Sequence, residues 1–164
     1  MIAGLNIVTI VQGDVVVSDD PAVVFGTLLG SCVSVCLYDT YAAVGGMNHF
    51  LIPGGAYGHS HNESAYLYGA NAMDCLIEKV LQAGGRRGNL VCKAFGGAAL
   101  HSKFGDIGQE NVRFLLSYLQ KKNIECVSYS FGGQHARRIR FWPTTGKVLQ
   151  ATAPVRKLPQ GLEY

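Results

Sequence analysis

No stretch of this 164-residue chain approaches the ~20 consecutive apolar residues that span a bilayer. Its start, MIAGLNIVTIVQGDVVV, lacks a positive leader, a long apolar block and a small-residue cleavage site, so no signal peptide is expected and the protein is predicted to be cytoplasmic. Charge is scarce: 15% of residues, with a formal net charge of +3 and no long basic run, too little to argue for nucleic acid. The cysteines number five and include no CxxC pair, which argues against a disulfide framework and against a structural zinc site. The GxGxxG dinucleotide fingerprint and the GxxxxGKS phosphate loop are both absent. There is no repeat, low-complexity segment or linker. The expectation is one domain over 1–164, without a cofactor or metal.

What is present suits a packed core: 48% of residues are hydrophobic, and 21 glycines imply tight turns and close backbone approaches. Strands are expected at 5–11, 14–18, 22–29, 33–39, within 40–53, and at 89–95 and 124–131. A last hairpin should join 137–142 to 147–152 through Pro143-Thr144-Thr145-Gly146. A helix is expected at 63–82, with Tyr66, Ala70, Met73, Leu76, Ile77, Val80 and Leu81 on its apolar face, started by Asn62 or Ser64 and ended by Gly84-Gly85. A second should cover 109–122. Residues 54–62 read as a mobile surface loop and 154–164 as a peripheral extension. Two amphipathic helices beside many strands predict an α/β layered sandwich with a mixed or antiparallel β core flanked by helices.

The chemistry is sought in the hairpin 33–53. In an antiparallel pair, opposed residues share an index sum. A loop of residues 39–42 sets that sum at 81, which places Cys32 against His49 on one face, with Cβ atoms ~4.5–5.5 Å apart. A one-residue slip would separate them to opposite faces. A thiol beside an imidazolium is expected to ionise at pKa ~3.5–7.5, giving a thiolate nucleophile with His49 as its base. Backbone N–H groups at the Leu29-Gly30-Ser31 bend can hold an oxyanion. For a third residue to orient the base, Thr27 and Ser31 are the nearest hydroxyls and Asn48 the nearest amide. Asn48 should point away, and geometry favours Thr27. Cys36, opposite Gly45 in this register, faces no base and reads as core, as do Cys75, Cys92 and Cys126. His59 and His61 read as solvated surface residues, His101 and His135 either line the pocket or are loop residues, and Arg138 and Arg140 read as one solvated face of an edge strand able to meet an acidic partner.

Thr27-Leu28-Leu29-Gly30-Ser31-Cys32-Val33, Leu37-Tyr38-Asp39 and Gly45-Gly46-Met47-Asn48-His49-Phe50-Leu51-Ile52-Pro53 together resemble the CheD family of chemoreceptor glutamine deamidases. The resemblance continues through Lys93-Ala94-Phe95-Gly96-Gly97-Ala98, Ile107-Gly108, Asn111-Val112, and Gly132-Gly133 followed by Arg138. It implies a Cys32–His49–Thr27 triad and a substrate glutamine on the cytoplasmic helices of a chemoreceptor. It also implies conversion to glutamate with loss of ammonia through a thioester, and a fold similar to the catalytic domain of cytotoxic necrotizing factor. Ser31, Gly30 and Gly97 are then the expected oxyanion or substrate-binding positions, with the site opening in a shallow groove walled by the glycine pairs 96–97 and 132–133. A peptidase or transglutaminase would use the same dyad on another substrate. A different class of function, as a binding partner and regulator of a CheC-type phosphatase, is the alternative the family offers.

Overall fold

The computed structural model describes residues 4–52, 63–100 and 107–154. The loop 54–62, both proposed caps of the first helix, the side chain of Tyr66, residues 155–164, and His59, His61 and His101 lie outside the described residues or side chains.

Among the described residues, extended apolar segments form nine strands in two sheets. One sheet has the order β1–β3–β8–β9 and the other β2–β5–β4–β6–β7. The first comprises β1 (Asn6–Thr9), β3 (Val23–Leu29), β8 (His135–Phe141) and β9 (Val148–Pro154). The second comprises β2 (Val15–Ser18), β5 (Val44–Asn48), β4 (Val33–Asp39), β6 (Val91–Gly96) and β7 (Glu125–Phe131). The pairs β1–β3 and β6–β7 are parallel and the rest antiparallel. Helices α1 (Glu63–Gln82) and α2 (Ile107–Lys122) cover the second sheet.

The core is therefore double. Phe25, Leu29, Ile139 and Phe141 of the first sheet meet Cys36, Tyr38, Met47 and Phe95 of the second. On the other face of the second sheet, Val33, Val35, Leu37 and Val44 meet Met73, Leu76, Ile77 and Val80 of α1 and Leu115 and Leu119 of α2. The helical periodicity of α1 puts its buried side chains at three- and four-residue spacing, as the sequence predicts. The central strand β4 is buried along its whole length because both faces are covered. The expected layered sandwich is present, with its helices on one side only.

The hairpin register differs from the expected one. Cys36 pairs with Met47 and Asp39 with Val44, an index sum of 83 rather than 81. The cause is Asp39, expected in the loop but forming the last residue of β4. Its Oδ1 accepts the N–H groups of Tyr41 and Ala42, and its Oδ2 accepts that of Arg86. These bonds pin the carboxylate with no exposure and hold its pKa below the usual range against the opposing effect of burial. The loop becomes 40–43 and closes on Ala43, which adopts a left-handed φ of 55°. A shift of two leaves every side chain on its expected face, so Cys36 opposes Met47 instead of Gly45 but stays in the core.

Candidate active site

Among the described strands the chain crosses between sheets at four places: residues 10–14 from β1 to β2 and 30–32 from β3 to β4, and also 19–22 from β2 to β3 and 132–134 from β7 to β8. Such crossings leave regular pairing and expose irregular backbone at a fixed position. The predicted site residues gather where the first two meet the end of β5.

Cys32 occupies the second crossing, 1% exposed. Its carbonyl accepts the N–H of Gly97 at 2.9 Å, and the Gly30 carbonyl accepts that of Ala98 at 3.0 Å. The fit demands glycine at 96: a Cβ there would lie 2.0 Å from the Cys32 carbonyl oxygen, and φ is 120°. From the helix side, Asn111 of α2 donates Nδ2–H to the Ser31 carbonyl and accepts the Ile52 N–H at Oδ1, both at 2.9 Å. Asn111, fully buried, thus ties the residue before Cys32 to the segment after His49. From the sequence, Asn111 enters only within the family resemblance and without a role, because a lone Asn in a helix carries no local signal for a tertiary tie.

His49 follows β5, is 6% exposed and faces the first sheet, where Thr27 Oγ1 lies 2.8 Å from its Nδ1. Thr27 donates its one hydroxyl proton to the Ile10 carbonyl, also at 2.8 Å. The hydroxyl can then only accept from His49, which puts the imidazole proton on Nδ1 and the lone pair on Nε2. Among the described residues Nε2 has no hydrogen-bond partner, and it is not sealed from solvent. Asn48 points the other way, as expected. Its Oδ1 accepts the Val35 N–H, and its Nδ2 meets Ala72 and Met73 of α1.

In the observed register the position across from His49 is Ser34, not Cys32. Cys32 and His49 are diagonal neighbours on one face, ~7–8 Å apart at the backbone, and among the described residues no hydrogen bond joins the sulfur to the ring. The shared face survives the two-residue shift, while direct opposition does not.

The ionisation state departs from expectation. Burial pushes the Cys32 thiol up to about 11, opposed by its own backbone N–H. Burial also drives His49 down to about 4, opposed by the Asp14 carboxylate. The resting pair is a neutral thiol and a neutral imidazole, not the expected thiolate and imidazolium, because desolvation opposes both charges.

The remaining candidates divide. The Gly97 N–H is committed to the Cys32 carbonyl. Gly97, Gly108, Val112, Phe131, Gly132 and Gly133 line an open depression, but neither Cys32 nor His49 lines it, so the glycine turns wall a groove other than the one expected over the dyad. A second depression runs from Gly13 and Asp14 past His49 to Tyr68 and Asn71 of α1. Arg138 and Arg140 are exposed on one face of β8, while Arg137 is buried and holds Ser130 Oγ and the Gly132 carbonyl. His135 opens β8 and is exposed. Among the described residues no three His, Cys, Asp or Glu side chains gather as a metal site requires, and no helix is long and apolar enough to cross a membrane.

A family model described as "CheD chemotactic sensory transduction" matches residues 51–152. The chain is 44% identical over 143 residues to a Rhizobium rhizogenes protein, covering 87% of this chain and 78% of that one. It is also 44% identical over 147 residues to one from Cereibacter sphaeroides, covering 89% and 72%. Both bear the name "Probable chemoreceptor glutamine deamidase CheD". A crystal structure of a Neisseria meningitidis DUF152 protein is similar at a TM-score of 0.45 and 12% identity, covering 78% of this chain and 64% of that one. With relatives of that identity aligned over nearly nine-tenths of its length, and a family model matching most of the remainder after the hairpin, the chain belongs to the CheD family.

Proposed function

We propose that this protein is a glutamine deamidase acting on the cytoplasmic helices of chemoreceptors, with Cys32 as nucleophile, His49 as base and Thr27 as the residue that orients it. The observation that carries this reading is the chain of hydrogen bonds from Ile10 through Thr27 to His49 Nδ1. It leaves the Nε2 lone pair, unpartnered among the described residues, on the face it shares with the Cys32 sulfur. The names borne by the relatives supply the substrate class.

The neutral pair defines the order of events. As Sγ attacks the amide carbon, the thiol proton passes to Nε2, the S–C bond forms, and the carbonyl π pair moves onto oxygen. Collapse of the tetrahedral anion breaks the C–N bond, and the Nε2 proton leaves with ammonia. Water then attacks the thioester and gives a proton to Nε2. That proton returns to sulfur as the C–S bond breaks and glutamate departs. Water and amide become acid and ammonia, with no change of oxidation state. Burial raises both intrinsic costs of charge separation, so the thiolate exists only when substrate is in place.

Ser31 and Gly30 shape the bend under the nucleophile, and Gly97 acts as a wall of the separate groove rather than an oxyanion donor, since its N–H is occupied. The single domain 1–164, a cytoplasmic site of action, and kinship with the catalytic domain of cytotoxic necrotizing factor are part of the same proposal. A second reading, as a partner of a CheC-type phosphatase, is favoured by edge strand β7, which leaves Tyr129 67% and Val127 44% exposed.

Mass spectrometry of a receptor cytoplasmic fragment tests the reading. The expected result is a gain of about 1 Da per converted glutamine with the native protein, and none with Cys32→Ala. Full conversion by Cys32→Ala ends it.

A further inference from the structure

The β1–β2 crossing touches every member of the dyad's support. The Ile10 carbonyl holds Thr27, the Gly13 N–H donates to the His49 carbonyl at 2.8 Å, and the Asp14 carbonyl accepts the His49 N–H at 3.3 Å. The turn is itself closed by the Val11 N–H on the Asp14 carboxylate and the Asp14 N–H on the Val11 carbonyl. At its tip stands Gln12. Its backbone is held to His49 by the adjacent Gly13, and its exposed side chain reaches over the nucleophile, with Oε1 3.8 Å from Cys32 Sγ. That contact is the only hydrogen bond the carboxamide makes among the described residues, so both Nε2 protons are unused.

A tetrahedral intermediate on Cys32 needs donors ~2.7–3.1 Å from its oxyanion. The Gly97 N–H is spent on the Cys32 carbonyl. The Cys32 N–H, by contrast, meets no carbonyl among the described residues and acts on its own sulfur. One backbone donor is therefore in place; a second donor is needed, and the unused carboxamide protons of Gln12 lie next to the sulfur.

We propose that the Gln12 carboxamide supplies that second donor, forming with the Cys32 N–H the oxyanion hole of the reaction. In the resting state Oε1 accepts the thiol proton. Once that proton moves to His49, the acceptor has lost its donor and faces a developing anion. Rotation about the terminal side-chain torsion, which is soft and roughly two-fold, presents Nε2–H in place of Oε1. The same group thus screens the sulfur before substrate arrives and stabilises charge afterwards. The inference rests on the proposed cysteine chemistry but not on the identity of the glutamine substrate.

The test compares two reactions at Cys32, each followed by mass spectrometry of the Cys32 peptide. Acylation by p-nitrophenyl acetate passes through an oxyanion, while alkylation by iodoacetamide does not. In Gln12→Ala the acylation rate is expected to fall about 10²–10³-fold, while alkylation of the unscreened sulfur holds or rises. Gln12→Glu, which keeps the shape but opposes an anion, should fall at least as far. With the receptor fragment, kcat should fall and KM stay near the native value. Equal acylation in native and Gln12→Ala proteins overturns the role, and so does a parallel fall of alkylation, which marks a structural effect. Conversion of Gln12 itself to glutamate in the native protein but not in Cys32→Ala also overturns it, since the side chain is then a substrate. If the native protein acylates and shows the Gln12 dependence but leaves the receptor fragment unchanged, the substrate assignment has failed and the oxyanion hole stands.

Discussion

Asn48 and His49 are neighbours in sequence, both are buried, and they face opposite layers of the molecule. In the layer between the second sheet and the helices, Asn48 and Asn111 use their carboxamides on both sides, joining Val35, Ala72, Met73, Ile52 and Ser31. In the layer between the two sheets, His49 is held at one nitrogen and, among the described residues, open at the other, and on the same face lies a thiol whose only side-chain partner among those residues is an exposed Gln. A buried polar group with all its capacity spent is a fastener, whereas one held by half of its capacity is available for chemistry. Burial alone does not tell them apart, and the count of unused donors and lone pairs does.

Paired substitutions test that difference most severely. His49→Ala should lower kcat for ammonia release by about 10⁴–10⁶-fold with little loss of stability. Asn48→Ala should leave the chemistry of the folded protein near native but cost about 1–3 kcal/mol in denaturant unfolding, because the Val35 N–H is left buried and unpaired. If both changes act mainly on stability, the distinction between the layers fails.

Next in size is the response to acid. His49 has a folded pKa of about 4 against 6.5 when unpacked. Below 6.5 the unfolded chain binds the proton that the folded protein refuses. Stability is therefore full above 6.5 and falls as pH drops toward 4, by about 3 kcal/mol at most. His49→Gln should flatten that part of the unfolding curve. The thiol gives a companion reading: titration of thiolate absorbance, compared with Cys32→Ala, should place its midpoint near 11. A midpoint below 7 would restore the ion pair.

Thr27→Val keeps the shape and removes the acceptor of Nδ1–H, freeing the imidazole to change tautomer. A fall in kcat of about 10–10²-fold is expected, with KM little changed and activity restored by Thr27→Ser. Smallest is Cys36→Ala. Cys36 shares the inter-sheet face with Cys32 but packs fully buried against Met47, with no base, and burial pushes its thiol far up. It should cost about 1 kcal/mol of stability and no activity.

Several elements were legible before the fold was known. The apolar spacing of α1 is strong and uninterrupted, and the helix runs over Glu63–Gln82 as expected. The common face of Cys32 and His49 followed from parity, which a two-residue shift of register preserves. Thr27 was the hydroxyl favoured by position and is the one that meets His49. The hairpin register was misjudged because the loop is set by Asp39, whose carboxylate is held in part by the backbone of Arg86, 47 residues away. The strands β1 and β2, adjacent in sequence, belong to different sheets, so the turn between them did not look like part of a site. Gln12 went unnoticed, and Asn111 was quoted without a role, for the same reason: each acts on a residue distant in sequence.

The sequence by itself determined which residues face which way, because the periods of strand and helix are local and survive small errors of register. It also determined which residue types can carry nucleophile, base and orienting hydroxyl. Only the tertiary structure decided the protonation of the pair, the tautomer of His49 and the identity of the side chain above the sulfur. Each of these depends on water removed and hydrogen bonds closed by segments that meet only after the two sheets pack.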